Sequence, residues 1–188
     1  MDRLIKAEII FDKIIDKIGK LCAYLMLLMM LNVFYDVIMR YIFREGSIAM
    51  QELEWHIFSV IILLGMSYTL KEDGHVRVDV LYDRWKPKTQ AIINIVGVIL
   101  FLWPLSLLIA YGSIDFVQES YQMHEISGDP GGLTHRWILK AVIPFAFVLL
   151  IFASIGFIIK NINVYRGVSK PKTKEDELKE AIAEGGIE

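Results

Sequence analysis

Asn32, Asp36 and Arg40 recur at intervals of four residues inside a long apolar run, so on a helix they form one polar stripe. An unpaired charge in such a setting costs at least ~2.5 to 3.5 kcal/mol, which gives Asp36 a strong need for a partner. Arg40 lies one turn away with opposite sign. The pair either neutralises itself and anchors its helix, or one member contacts another subunit. Further on, Gln51-Glu52-Leu53-Glu54-Trp55-His56 places two carboxylates beside Trp55, an aromatic of the interfacial type, and Glu52 is close enough in sequence to reach the Arg40 region across a short hairpin. Neither group resembles catalytic machinery. The chain has four histidines, of which His56 alone lies near an apolar run, so the paired intraspan His of a membrane haem protein is missing. One cysteine, Cys22, excludes an internal disulfide and Cys-pair redox chemistry, and reads as a buried thiol. No catalytic residue, metal set or cofactor is expected.

The elements that position these residues are four apolar runs at about 21–43, 53–70, 91–111 and 137–159. Each is near the roughly 20 residues an α-helix needs to cross a bilayer core. With 55% apolar residues in a chain of 188, the expected fold is an all-α integral membrane protein of four transmembrane helices. Net charge is only −2, yet 16 of the 20 basic residues lie before the first run, between the second and third, or after the fourth. By the positive-inside rule both termini are cytoplasmic. Asn94, Pro104 and Pro144 within the runs read as packing or kink features, because neighbouring helices can satisfy the freed backbone groups.

Before the first run, Leu4, Ala7, Ile10, Phe11, Ile14, Ile15 and Ile18 share one helical face, while Lys6, Asp12, Lys13, Asp16, Lys17 and Lys20 share the other. This predicts an amphipathic arm helix lying in the plane of the membrane, with lipid as its partner. The acidic residues among these, and the lack of a small-residue cleavage pattern, argue against a cleaved signal peptide. The organisation is therefore an arm at 1–19, a four-helix transmembrane domain at 20–166 and a charged cytoplasmic tail at 167–188. The longest external segment, 115–136, contains the turn cluster Ser127-Gly128-Asp129-Pro130-Gly131-Gly132. Glu125, Asp129, His135 and Arg136 surround it and form the surface best suited to docking a soluble protein.

The residues Val37-Ile38-Met39-Arg40-Tyr41-Ile42-Phe43, then Gln51-Glu52, then Gly65-Met66-Ser67-Tyr68, then His75-Val76-Arg77-Val78-Asp79-Val80-Leu81 resemble the small membrane subunit, of Q or DctQ type, of tripartite ATP-independent periplasmic (TRAP) transporters. The resemblance covers about 20–160, and the His-Val-x-Val-Asp block after the second run is its most specific part. It implies a multi-pass protein of the bacterial or archaeal cytoplasmic (inner) membrane, with a large M subunit and a periplasmic substrate-binding P protein as partners. It also implies a scaffold that braces the M subunit during sodium-driven uptake of organic acids. Arg40, Glu52, His75 and Asp79 fall on the family's motif positions, whereas Gln51 stands where a Glu-Glu pair is common. The Ser127 to Gly132 turn is similar to that of a branch associated with oxo acids, lactate and related carboxylates.

The structural or subunit-interface set is thus Asn32, Asp36, Arg40, Glu52, Trp55, His75 and Asp79. An enzyme would need titratable or nucleophilic groups converging in one pocket, which the spacing does not supply. A self-sufficient small transporter or channel, the alternative, would carry polar residues on several spans and often an inverted repeat. No nucleic-acid partner is expected.

Overall fold

The computed structural model of the chain describes residues 3–74, 82 and 84–168. His75, Asp79 and all but the start of the tail at 167–188 lie outside the described residues. Helix α1 spans Arg3–Ile38 and closes in a π-helical turn at Met39–Phe43, and α2 spans Ile48–Lys71. The third span is composite: α3 at Pro87–Gly97, a π-helical turn at Val98–Leu102, and α4 at Trp103–Gln122. Helix α5 spans Trp137–Tyr165. Among the described residues four helical segments, Arg3–Phe43, Ile48–Lys71, Pro87–Gln122 and Trp137–Tyr165, are long and apolar enough to cross a membrane. The described residues contain no strand.

Each helix runs past its apolar run into polar sequence, because helical hydrogen bonding continues where hydropathy fades. The difference is largest in α1. Its 36 residues, about 54 Å of helix, pass unbroken through position 20, so the arm and the first span share one helix. Gly19 does not interrupt it. A Cβ there would sit 2.5 Å from the Tyr68 ring, so the glycine admits a close approach of α2. Pro104 enters its helix directly after the π-helical turn, a wider turn that absorbs the clash between a proline ring and the preceding carbonyls. Pro144 lies inside α5 without ending it.

Helix α5 touches every other helix. Helices α1 and α2 pack on each other and on it, whereas α3 and α4 pack on α5 and carry the most uncovered span of the four. The arrangement is a three-helix cluster with the composite span applied to one side. Ile15, Leu70, Val98, Leu150, Ala153 and Phe157 form one core cluster, and Cys22, Ile57, Ile61, Leu64 and Ala146 another. The buried face of α5 is small where backbones come close, at Ala146, Ala153, Ser154 and Gly156.

Gly156 shows how tight this contact is: a Cβ would fall 2.7 Å from Cβ of Phe11, an atom that cannot swing away. Gly97 has nothing within 4 Å of the same construction. Gly156→Ala is therefore expected to cost on the order of 1 to 3 kcal/mol by overpacking, and Gly97→Ala to be neutral within error. Thermal unfolding of both variants in detergent checks this, and equal melting temperatures would refute the close approach.

Candidate functional site

The polar residues collect at two ends of the molecule. The end opposite the termini holds most of the predicted set. Asn32 is buried and donates from Nδ2 to the carbonyl of Met50 at 2.9 Å, tying α1 to the first turn of α2. Asp36 is 2% exposed, and its Oδ2 accepts from the Arg40 guanidinium one turn on. Its Oδ1 has no hydrogen-bond partner among the described residues. Arg40 stands in the π-helical turn, with nearly half of its side chain in the surroundings. Arg44, in the left-handed region at φ 59°, ends the helix by donating its N–H to the Met39 carbonyl.

Glu52 reaches a different partner from the Arg40 region. Its carboxylate is buried beneath the 123–136 loop, where Oε1 accepts from the Ser127 hydroxyl and Oε2 from the Leu133 N–H at 2.6 Å. The loop is built for this contact. The Ser127 N–H bonds the Leu133 carbonyl at 3.0 Å, Gly132 N–H the Asp129 carbonyl at 3.0 Å, and Asp129 N–H the Ser127 hydroxyl oxygen at 3.1 Å. Gly131 takes φ +86°, natural for glycine alone. A Cβ on Gly132 would lie 2.5 Å from the Ser127 side chain and 2.8 Å from Glu52 Oε2. The turn cluster is thus a lid seated on one carboxylate.

Trp55 remains half-exposed, with the Arg136 guanidinium 5.4 Å above its ring and the His56 ring 4.1 Å away. Of the proposed docking residues, Asp129 and His135 are exposed and Arg136 partly so. Glu125 is half-buried and paired with Lys140, whose ammonium also lies 3.8 Å over the Phe116 ring. The Lys140 ammonium, as a hydrogen-bond donor, holds the Glu125 carboxyl below its ordinary range. Tyr121 meets Trp137 edge to face at 5.3 Å beneath the loop.

The end that carries the termini holds contacts that sequence reasoning did not find. Asn94 donates to Asn161 Oδ1 at 2.9 Å and to the Tyr82 hydroxyl at 2.8 Å, and Asn163 donates to Glu8 at 2.5 Å. Asp16 pairs with Lys71, which also bonds Glu72 at 2.7 Å. Between the ends, the Trp103 indole donates to Ser154 at 2.7 Å. Asn94 is the packing feature its sequence setting predicts, whereas the partners Asn161, Asn163 and Ser154 carry no spacing that singles them out. Among the described residues there is no group of three or more His, Cys, Asp or Glu able to hold a metal. A shallow apolar groove on α2 is lined by Ile61, Ile62, Gly65, Met66 and Thr69. The polar groups join helices and seat a loop.

Residues 29–163 match the model of the family described as the DctQ component of tripartite ATP-independent periplasmic transporters. Two proteins of Haemophilus influenzae, each assigned the name TRAP transporter small permease protein, are similar to the chain. The first is 32% identical over 115 residues, 61% of this chain and 71% of its own. The second is 24% identical over 140 residues, 73% of this chain and 84% of its own.

Glu52→Ala is expected to release the loop, because the partly buried Leu133 N–H loses its acceptor. Hydrogen exchange at Leu133 should accelerate by on the order of tenfold or more, with Ser127→Ala giving a smaller change. Unchanged exchange in Glu52→Ala would show that the loop holds itself. Glu125 makes the same loop sensitive to acid. A carboxyl held below its ordinary range stabilises the fold above that range and stops doing so as pH falls through the lowered value. Protection of 123–136 should therefore drop on acidification in the parent, and Glu125→Gln should remove that part of the pH dependence.

Proposed function

Because the chain belongs to the DctQ family, the small permease component of tripartite ATP-independent periplasmic (TRAP) transporters, we propose that it is the scaffold that braces the large M subunit during sodium-driven, binding-protein-dependent uptake of organic acids. It is a multi-pass membrane protein. In the proposed arrangement it sits in the cytoplasmic (inner) membrane with both termini inside, so that the Glu52-seated loop faces the periplasm and the P protein. The arm rests at the cytoplasmic interface, against the ends of α2 and α5.

One observation carries this reading. The polar side chains within the spans are spent on joining helices, as with Asn32, Trp103 and Ser154, while α3 and α4 pack on α5 and leave long apolar faces uncovered. Such a molecule adds stiff surface to a neighbour. His75 and Asp79, on motif positions of the family, belong to the same proposed interface set. Reconstitution tests the proposal: sodium-driven uptake of an organic acid in proteoliposomes should require this chain and the M subunit together, with the P protein supplied outside. Uptake by this chain alone would falsify the scaffold reading and establish a self-sufficient transporter.

Arg40→Ala strands a buried Asp36 whose other oxygen already lacks a partner. Its cost should fall toward the lower end of the roughly 3 to 5 kcal/mol seen when one member of a buried pair is removed, because Arg40 is itself partly exposed. Retention of the M subunit on co-purification should fall with it, whereas Arg84→Ala, at an exposed position, should leave retention intact; equal behaviour of the two would sink the rim-anchor role. Docking of the P protein is better probed by Asp129→Lys than by reversal of Glu125, which would also break the Lys140 pair. Asp129→Lys should raise the P-protein concentration needed for half-maximal uptake, most strongly at low salt.

A further inference from the structure

The polar face of the α1 arm is divided. Glu8, Asp12 and Asp16, at successive intervals of four, turn toward the bundle: Glu8 accepts from Asn163, Asp16 pairs with Lys71, and Lys71 and Lys160 supply opposite charge to Asp12. Lys6, Lys13, Lys17 and Lys20 are all exposed, and none forms an ion pair with a described residue. At 100° per residue these four fall within an arc of about 60°. Isoleucines flank that arc on both sides, Ile9 at 39% exposure on one and Ile10 at 58% and Ile14 at 40% on the other. With the acids on the side nearer the bundle, Asp16 paired to Lys71 although its side chain is 41% exposed, the face beyond them is a cationic stripe bordered by apolar side chains.

Its level in the molecule is set by packing. Phe11 stacks on Phe152 at 4.7 Å and abuts Gly156, Glu8 meets Asn163 near the end of α5, and Asp16 meets Lys71, the last residue of α2. The start of the stripe therefore stands beside the polar end of α5, and its middle beside the end of α2, near the depth of lipid headgroups. Behind it Phe11 and Ile15 pack on apolar turns of α5. Long lysine side chains lay their stems along apolar surface and carry the ammonium to phosphate, and isoleucines beside them enter the acyl boundary.

We propose that the outward face of the arm, Lys6, Lys13, Lys17 and Lys20 with Ile9, Ile10 and Ile14, is a binding site selective for anionic phospholipid headgroups. Each lysine close to an anionic surface strengthens association about fivefold, and the attraction weakens as salt rises. The proposal rests on the chain being a membrane protein and not on its bracing role, so its failure would leave the scaffold reading standing.

The test uses the purified full chain in detergent, with thermal unfolding followed while dioleoyl phosphatidylglycerol or dioleoyl phosphatidylcholine is titrated into the micelles. Phosphatidylglycerol should raise the melting temperature of the parent saturably and phosphatidylcholine should not. In K6Q/K13Q/K17Q/K20Q the half-saturating amount of phosphatidylglycerol should rise at least about tenfold, with recovery in the corresponding quadruple Lys→Arg variant. The half-variants K6Q/K13Q and K17Q/K20Q, each with an intermediate rise, carry the test should the quadruple variant not fold. R84Q/K86Q, altered at exposed positions outside the arm, should respond as the parent does. The proposal is overturned if the Lys→Gln variants respond like the parent, if R84Q/K86Q removes the response instead, if phosphatidylcholine acts equally, or if inorganic phosphate alone reproduces the effect.

Discussion

In hydrocarbon, burying apolar surface no longer drives one helix onto another, so helices associate where backbones come close and where polar side chains meet. Helix α5 supplies both conditions. Ala146, Ala153, Ser154 and Gly156 leave room for its neighbours, and Ser154, Asn161 and Asn163 bond groups on the composite third span and on α1. The other helices depend on that surface: α1 approaches through Phe11 and Ile15, α2 through Leu70, and the third span through Val98 and Trp103.

The two ends of the molecule solve the same problem with different chemistry. Where the termini lie, amides and ion pairs cross between elements far apart in sequence. At the opposite end one carboxylate, Glu52, takes a hydroxyl and a backbone N–H from a loop some eighty residues distant, as the separation of Glu52 and Leu133 shows. A buried carboxylate left without donors is expensive, and so is a buried N–H without an acceptor, so loop and helix hold each other in place. This explains why Gly131 and Gly132 follow Pro130: the chain must turn through a positive φ and then pass too close to Glu52 for any side chain.

Much of this architecture was legible in the sequence, because a span needs an apolar run of known length and the four runs meet that need. The Asp36–Arg40 pair was legible for a similar reason, its spacing being that of one helical turn. The extent of the helices was not, since hydropathy reports solvent preference and the backbone continues its bonding through Lys17 or Glu119 regardless. Nor was the partner of Glu52, because proximity in sequence favoured Arg40, whereas the fold brings Ser127 and Leu133 over the start of α2. The arm was half legible. Periodicity separates apolar from polar positions, but it cannot show that the acids of the arm find partners on the bundle while the lysines stay exposed. That choice depends on Lys71, Lys160 and Asn163, which the sequence places far from the arm.

A helix that is fixed at both ends behaves as a strut. Helix α1 is held near its start by Glu8 and Asp16 and near its finish by Asn32, and between them Gly19 admits Tyr68 and Cys22 lies against Ile61. With no proline in α1, a common cause of a sharp kink is absent from it. The arm and the rim where Asp36 and Arg40 sit are thus two ends of one continuous helix. The third span differs, because its π-helical turn before Pro104 offers a place to flex and its contacts with the bundle run through α5. Close ties along one side of α5 and a π-helical interruption on the other follow from where the glycines, prolines and amides fall along the chain.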